Sequence, residues 1–148
     1  VDEKVWKTNE PGAPSPMARL EAMQHLVENG ITAGVMMAPI LPGISDSIES
    51  INAVVGAAVK HKAQFLGANV LFLKPGSKEW FMPMLRERYP HLTTAYDKMY
   101  RKTYAPRDYT DMVLKAVDKA RWDWGLPAME PTKDLRRQER QLELALTA

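Results

Sequence analysis

The sequence contains no cysteine. Disulfides and thiolate-held metals are therefore excluded for this chain, and a cytoplasmic location is permitted. Net charge is also scarce: 20 Lys and Arg against 18 Asp and Glu leave +2, too little to argue for a nucleic-acid or membrane partner from charge alone. No apolar run reaches the roughly 18–20 residues of a membrane span, and Val1-Asp2-Glu3-Lys4 has no signal-peptide pattern. The expectation is a soluble, cytoplasmic protein. His25, His61 and His91 are not spaced as metal ligands on one face. There is no GxGxxG, no P-loop, no Ser-His-Asp arrangement and no repeat of constant period. What the 148 residues do offer is enough chain for one domain that folds without disulfide or metal. The chain opens on Val1 and its first segment reads as the middle of something, so a piece of a longer protein is expected.

The densest apolar stretch is Gly34-Val35-Met36-Met37-Ala38-Pro39-Ile40-Leu41-Pro42-Gly43. Pro39 and Pro42 cannot donate backbone hydrogen bonds, so the stretch reads as a buried strand over 31–38 that ends at Pro39 and opens into a tight loop. Before it, Glu10-Pro11-Gly12-Ala13-Pro14-Ser15-Pro16 is a stiff connection. Ser15 can cap a helix and Pro16 suits its first position. Met17, Leu20, Met23, Leu26 and Val27 recur at helical spacing up to Asn29-Gly30, which gives a helix over 16–29.

After the loop, Ser45 or Asp46 can cap a second helix reaching Lys62, with Glu49 placed for a capping-box return to Asp46. Ile48, Ile51, Val54, Val55, Ala58 and Val59 form its apolar face. Phe65 to Leu73 reads as a second buried strand, ended by Lys74-Pro75-Gly76. Strand, helix and strand make a crossover unit, right-handed in about 98% of parallel cases. Both loops, 39–45 and 74–77, then leave the sheet at one edge. Continuous apolar strands imply a parallel sheet covered by helices.

Beyond Gly76 the strand signals stop. Ser77 can cap a short helix that Pro83 kinks or delays, helices follow over 91–102 and 107–124, and a charged amphipathic helix or frayed tail covers 132–146. The organisation is thus 1–76 as the α/β part, 77–125 as a helical cap, and 126–148 as linker and tail.

Ligands of parallel sheets bind at the carboxyl ends of the strands. That edge offers Pro39, Ile40, Gly43, Ser45 and Asp46 from one loop and Leu73, Lys74, Gly76 and Ser77 from the next. Gly43 lets a ligand approach the backbone, and the first N–H groups of the following helix suit an anion, which the charge of Asp46 opposes. The plainer alternative is that Gly43 only turns the chain, Asp46 only caps its helix and Lys74 is only solvated. In the second half, Trp80, Phe81, Tyr96, Tyr100, Tyr104, Tyr109, Trp122 and Trp124 are interleaved with Arg86, Arg88, Arg101, Lys102 and Arg107. They suit either a helical core or a surface that stacks on nucleic acid.

Three stretches resemble radical S-adenosylmethionine proteins: Glu10-Pro11-Gly12-Ala13-Pro14-Ser15-Pro16-Met17 through Met23 and on to Gly30-Ile31; Val35 to Asp46; and Leu71-Phe72-Leu73-Lys74-Pro75-Gly76. The branch is the one similar to spore photoproduct lyase, also described as DNA repair photolyase-like, and the likeness covers about residues 1–125. The resemblance implies the C-terminal part of a partial (β/α)6 barrel followed by a helical extension. It implies S-adenosylmethionine as cofactor and a four-iron four-sulfur cluster held on a CxxxCxxC loop elsewhere in the intact protein. With no cysteine, this chain supplies no cluster ligand, and alone it should be inactive. The family's GxIxGxxE pattern, which supports the adenine, is approached at Ile40, Gly43 and Asp46. One extra residue separates the Ile from the Gly, Ala38 replaces the first Gly, and Asp replaces Glu. Pro39, Ile40, Gly43, Asp46, Leu73 and Lys74 are therefore the implied cofactor-binding residues. The N-terminal remainder of the barrel is the implied partner. No hydrogen-donor cysteine of the photoproduct-lyase type is present, so a DNA lesion as substrate rests on fold analogy. The rival reading is a non-catalytic module that docks a partner or nucleic acid through the aromatic and basic helices.

Overall fold

Ser15 and Pro16 do what their chemistry dictates. The Ser15 hydroxyl accepts the Ala18 N–H at 3.1 Å, and Pro16 opens helix α2 (Pro16–Glu28), with Asn29 closing it. The computed structural model describes residues 2–129. Ahead of α2, the polar N-terminal residues form a helix the sequence did not announce, α1 (Glu3–Asn9), because the Asp2 carboxylate caps the Lys4 and Val5 N–H groups. After α2 the order is β1 (Val35–Ile40), α3 (Ile48–Lys60), β2 (Leu66–Val70), α4 (Ser77–Arg88), a 3-10 turn (Pro90–Leu92), α5 (Thr93–Met99) and α6 (Arg107–Asp123). The fold is mixed α/β.

β1 and β2 pair in parallel, with Val35 opposite Leu66, Met36 opposite Gly67 and Met37 opposite Ala68. Their carboxyl ends, and the loops that leave them, thus lie at one edge of the sheet. The first strand departs from expectation at both ends. It starts at Val35 rather than at residue 31, because the chain passes tightly against the start of β2 there: a Cβ on Gly34 would lie 2.3 Å from the Phe65 carbonyl oxygen. It continues through Pro39, which falls in the irregular stretch between Met37 and Ile40 where a missing N–H breaks no ladder bond. The Ala38–Pro39 peptide is cis. Nor is β1 buried on both faces as its apolar run implied. Met36 is 55% exposed and only Ile40 is buried, because among the described residues no strand pairs with its outer side.

The second strand is shorter than the expected 65–73. Leu71 still donates to the Ile40 carbonyl (3.0 Å), but Leu73 donates instead to Thr103 (2.7 Å), and Phe72 bridges Tyr104. The outer side of β2 is occupied by residues that read as a linker. Leu66 N–H donates to Pro127 (3.0 Å), Met129 N–H donates back to Leu66 (3.2 Å), and Leu126 is buried. Pro127 supplies an acceptor even though it has no donor.

One hydrophobic cluster joins the sheet to the helices. Ile51, Val55 and Ala58 of α3 and Val113, Val117 and Ala120 of α6 pack with Leu66, Val70, Leu85 and Tyr96. Ile48, expected on the buried face of α3, is 66% exposed because α3 begins with it, capped by Ser47. Pro83 lies inside α4, which runs on past it with Met82 and Leu85 buried. The helix expected over 91–102 divides into the 3-10 turn and α5. The helix expected over 132–146 lies outside the described residues. Among the described residues no helix is long and apolar enough to cross a membrane.

Candidate functional site

The exit of β1 is a knot of short hydrogen bonds. The Leu41 N–H donates to the Ser45 hydroxyl (2.9 Å), and Ile44 and Ser45 N–H groups donate back to the Leu41 carbonyl. Gly43 holds φ at +70°, and a Cβ there would approach Leu92 at 3.1 Å. Both the left-handed backbone and the packing therefore favour glycine. Its N–H donates to Asp46 Oδ1 at 2.8 Å.

Two tyrosines from the helical half fasten this loop. Tyr96 of α5, fully buried, donates its hydroxyl to the Pro42 carbonyl at 2.7 Å. Tyr109 of α6 donates to the second oxygen of Asp46, a short hydrogen bond. A third, Tyr100, donates to the Leu71 carbonyl at 2.8 Å, one residue past the end of β2. Burial raises the pKa of all three above the ordinary tyrosine value, and at Tyr109 the Asp46 carboxylate adds to the shift. All three remain protonated donors across the physiological range.

These contacts correct the roles expected at the first loop. Ser47, not Ser45 or Asp46, caps α3, accepting the Ser50 N–H at 3.1 Å. Both oxygens of Asp46 are occupied within the protein, so Asp46 shapes the loop rather than offering a free carboxylate. Ile40 belongs to the core, and its carbonyl is taken by Leu71. Pro39 and Gly43 are exposed at the edge.

At the second loop Leu73 is likewise buried with its N–H taken by Thr103, whereas Lys74 is exposed, its ammonium 5.7 Å from the Phe72 ring centroid. Phe72 and Tyr104 are both exposed and lie 5.8 Å apart, tilted by 41°. Gly76, not Ser77, occupies the cap position of α4, and its N–H donates to the Glu79 carboxylate. The candidate site is thus a rim of Pro39 near the end of β1, Gly43 on the loop that follows, and Phe72, Lys74 and Tyr104 beside the second loop. Phe72 was not among the expected site residues, and Tyr104 was expected only within the aromatic set suited to a helical core or a nucleic-acid surface. The alternation Leu71, Phe72, Leu73 was a signal for Phe72, but nothing local brings Tyr104 to it. Among the described residues no group of three or more His, Cys, Asp or Glu is placed to hold a metal.

No protein-family model matches the chain, and no solved structure matches it. Uncharacterized proteins of Mycobacterium bovis and Mycobacterium tuberculosis are similar to it, 31% identical over 117 residues. The match takes in 78% of this chain and 34% of each relative. The chain therefore spans about a third of the length of the curated relatives it matches.

Proposed function

We propose that this chain is the C-terminal part of a cytoplasmic radical S-adenosylmethionine enzyme, a partial (β/α)6 barrel of which it forms one wall and a helical cap. The observation that supports this most is the coincidence of motif and geometry. The two stretches that resemble the family, Val35 to Asp46 and Leu71 to Gly76, leave a parallel sheet at the same edge. The residues present fit S-adenosylmethionine in kind. Phe72 and Tyr104 offer exposed aromatic faces to a purine, and Lys74 offers a cation to a carboxylate. They do not fit the cluster, since there is no cysteine to ligate it. A cluster would have to be held by the remainder of the barrel, where it would supply the one-electron reduction of S-adenosylmethionine. The work of this chain is to bind and orient. Tyr96, Tyr109 and Asp46 fix the shape of the first loop.

Phe72→Ala in the full-length protein is the test. It is expected to weaken S-adenosylmethionine binding by about tenfold or more with iron content unchanged. Equal affinity would return Phe72 and Lys74 to a solvated surface. A second reading, docking of single-stranded nucleic acid, is favoured by Trp80 and Trp122, which are 85% and 86% exposed. It predicts that Trp122→Ala weakens nucleic-acid binding and leaves S-adenosylmethionine affinity untouched.

A further inference from the structure

The five residues that leave β1, Leu41 to Ser45, keep no free backbone N–H. Leu41 donates to the Ser45 hydroxyl (2.9 Å), Gly43 donates to Asp46 Oδ1 (2.8 Å), and Ile44 and Ser45 both donate to the Leu41 carbonyl (3.1 and 3.0 Å). Pro42 has no N–H to give. The carbonyls are divided differently. Leu41 accepts twice and Pro42 accepts from Tyr96, whereas Gly43, Ile44 and Ser45 accept from no group among the described residues. Gly43 is exposed, and Ile44 and Ser45 are half-buried. The one donor left on these residues is the Ser45 hydroxyl proton, on the oxygen that already accepts from Leu41. What the backbone of the loop has left to offer a ligand is acceptors.

A second observation has the same sign. Asp46 is held by two neutral donors, the Gly43 N–H and the Tyr109 hydroxyl, and among the described residues no cation pairs with it. Neutral donors fix a carboxylate without cancelling its charge, so a negative charge stays beside the loop. Burial and this carboxylate both raise the Tyr109 pKa, which keeps Tyr109 a donor in the arrangement. Tyr109 and Asp46 are thus positioning residues that keep the Gly43 N–H occupied. The anion suggested by the first N–H groups of the following helix is opposed on both counts.

We propose that the first loop receives a hydrogen-bond donor, an uncharged or cationic amino group, and refuses anions. The two loops then differ in polarity, with acceptors and a carboxylate on the first and the exposed ammonium of Lys74 on the second. A ligand that satisfies both carries an amino group on one part and an anionic group on another. Naming S-adenosylmethionine as that ligand rests on the function proposed above, whereas the polarity of the loop does not. In S-adenosylmethionine the amino group has two sources, the exocyclic amine of the adenine and the α-ammonium of the methionine part.

Calorimetric binding of S-adenosylmethionine and two analogues to the full-length protein tests the proposal. The S-inosyl analogue puts a carbonyl where adenine has its amine, and the analogue without the α-ammonium removes the other source. One of the two is expected to bind about tenfold or more weakly than S-adenosylmethionine, because its lost donor leaves acceptors unpaired; which one it is names the source. In Asp46→Ala, which releases the Gly43 N–H as a donor, that discrimination is expected to narrow. Equal affinity for all three ligands would overturn the proposal. A protein that binds none of them counts against S-adenosylmethionine alone, and the loop is then read by resonance shifts on titration with methylguanidinium and with inorganic phosphate. The cation is expected to shift Gly43 and Ile44 and phosphate to leave them unmoved. Shifts from phosphate, or from neither ion, would overturn the proposal. So would exchange of the Gly43 and Ile44 amides within about tenfold of unstructured rates in the ligand-free protein, since those N–H groups would then be available to a ligand.

Discussion

The two outer sides of the sheet are opposites. On the β2 side, the chain returns after α6 and spends Pro127 and Met129 on the two backbone groups of Leu66, sealing a strand whose side chain is fully buried. On the β1 side nothing among the described residues pairs with the strand, and an apolar, uncharged edge faces a groove. The sealed side belongs to a core that this chain completes by itself, with α3 and α6 packed on β2. In the barrel we propose, the open side is where the remainder of the protein would pair. The candidate site lies where the two strands end together, so its completeness depends on what fills the open side.

The comparison is broken most forcefully at the sealed side. Leu66→Ala removes a fully buried side chain at the point where β2 holds both β1 and the returning tail, and is expected to cost about 2–5 kcal/mol, read from urea or thermal unfolding. Next comes the tie between the β1 exit and the helical half. Tyr96→Phe leaves the buried Pro42 carbonyl without its donor, a loss of about 1–3 kcal/mol. Its pH dependence has a definite sign. Folding raises the pKa of Tyr96 and Tyr100 above the ordinary 10.0, so the stability they contribute is whole below pH 10 and is lost as pH climbs towards their folded values. Unfolding midpoints should fall in that alkaline window, less steeply in Tyr96→Phe. The smallest effect belongs to the open side. Met36→Lys in residues 1–148 alone should change stability by no more than about 0.5 kcal/mol, because Met36 already faces water. Expressed alone, the chain should self-associate through β1, and the added lysine should reduce that association in sedimentation velocity. A large loss of stability from Met36→Lys would mean that the edge is already covered.

Local chemistry made some of this legible. Ser15-Pro16 and Asn29-Gly30 bracket α2 because capping depends on neighbours in sequence. The parallel pairing followed from two apolar runs with a helix between them. The α3 cap did not follow, because Ser45, Asp46 and Ser47 are all competent. Tyr109, 63 residues away in sequence, claims Asp46, while the Leu41 N–H claims Ser45, which leaves the cap to Ser47. Distance also hid the docking of 127–129, since a proline-bearing segment reads as linker until a strand with unpaired groups lies beside it. At the candidate site, Gly43 and Lys74 were legible as exposed edge residues. Ile40 and Leu73 were not, as β-strand ends alternate between rim and core and the register decides which.

The central claim is that this wall completes a radical S-adenosylmethionine site. The most direct measurement is anaerobic reconstitution of the full-length protein with iron and sulfide, followed by reduction in the presence of S-adenosylmethionine and quantification of 5′-deoxyadenosine. The account predicts reductant-dependent 5′-deoxyadenosine formation that falls in Phe72→Ala at equal iron content. A protein that binds no cluster, or one that binds it and leaves S-adenosylmethionine intact, would contradict it.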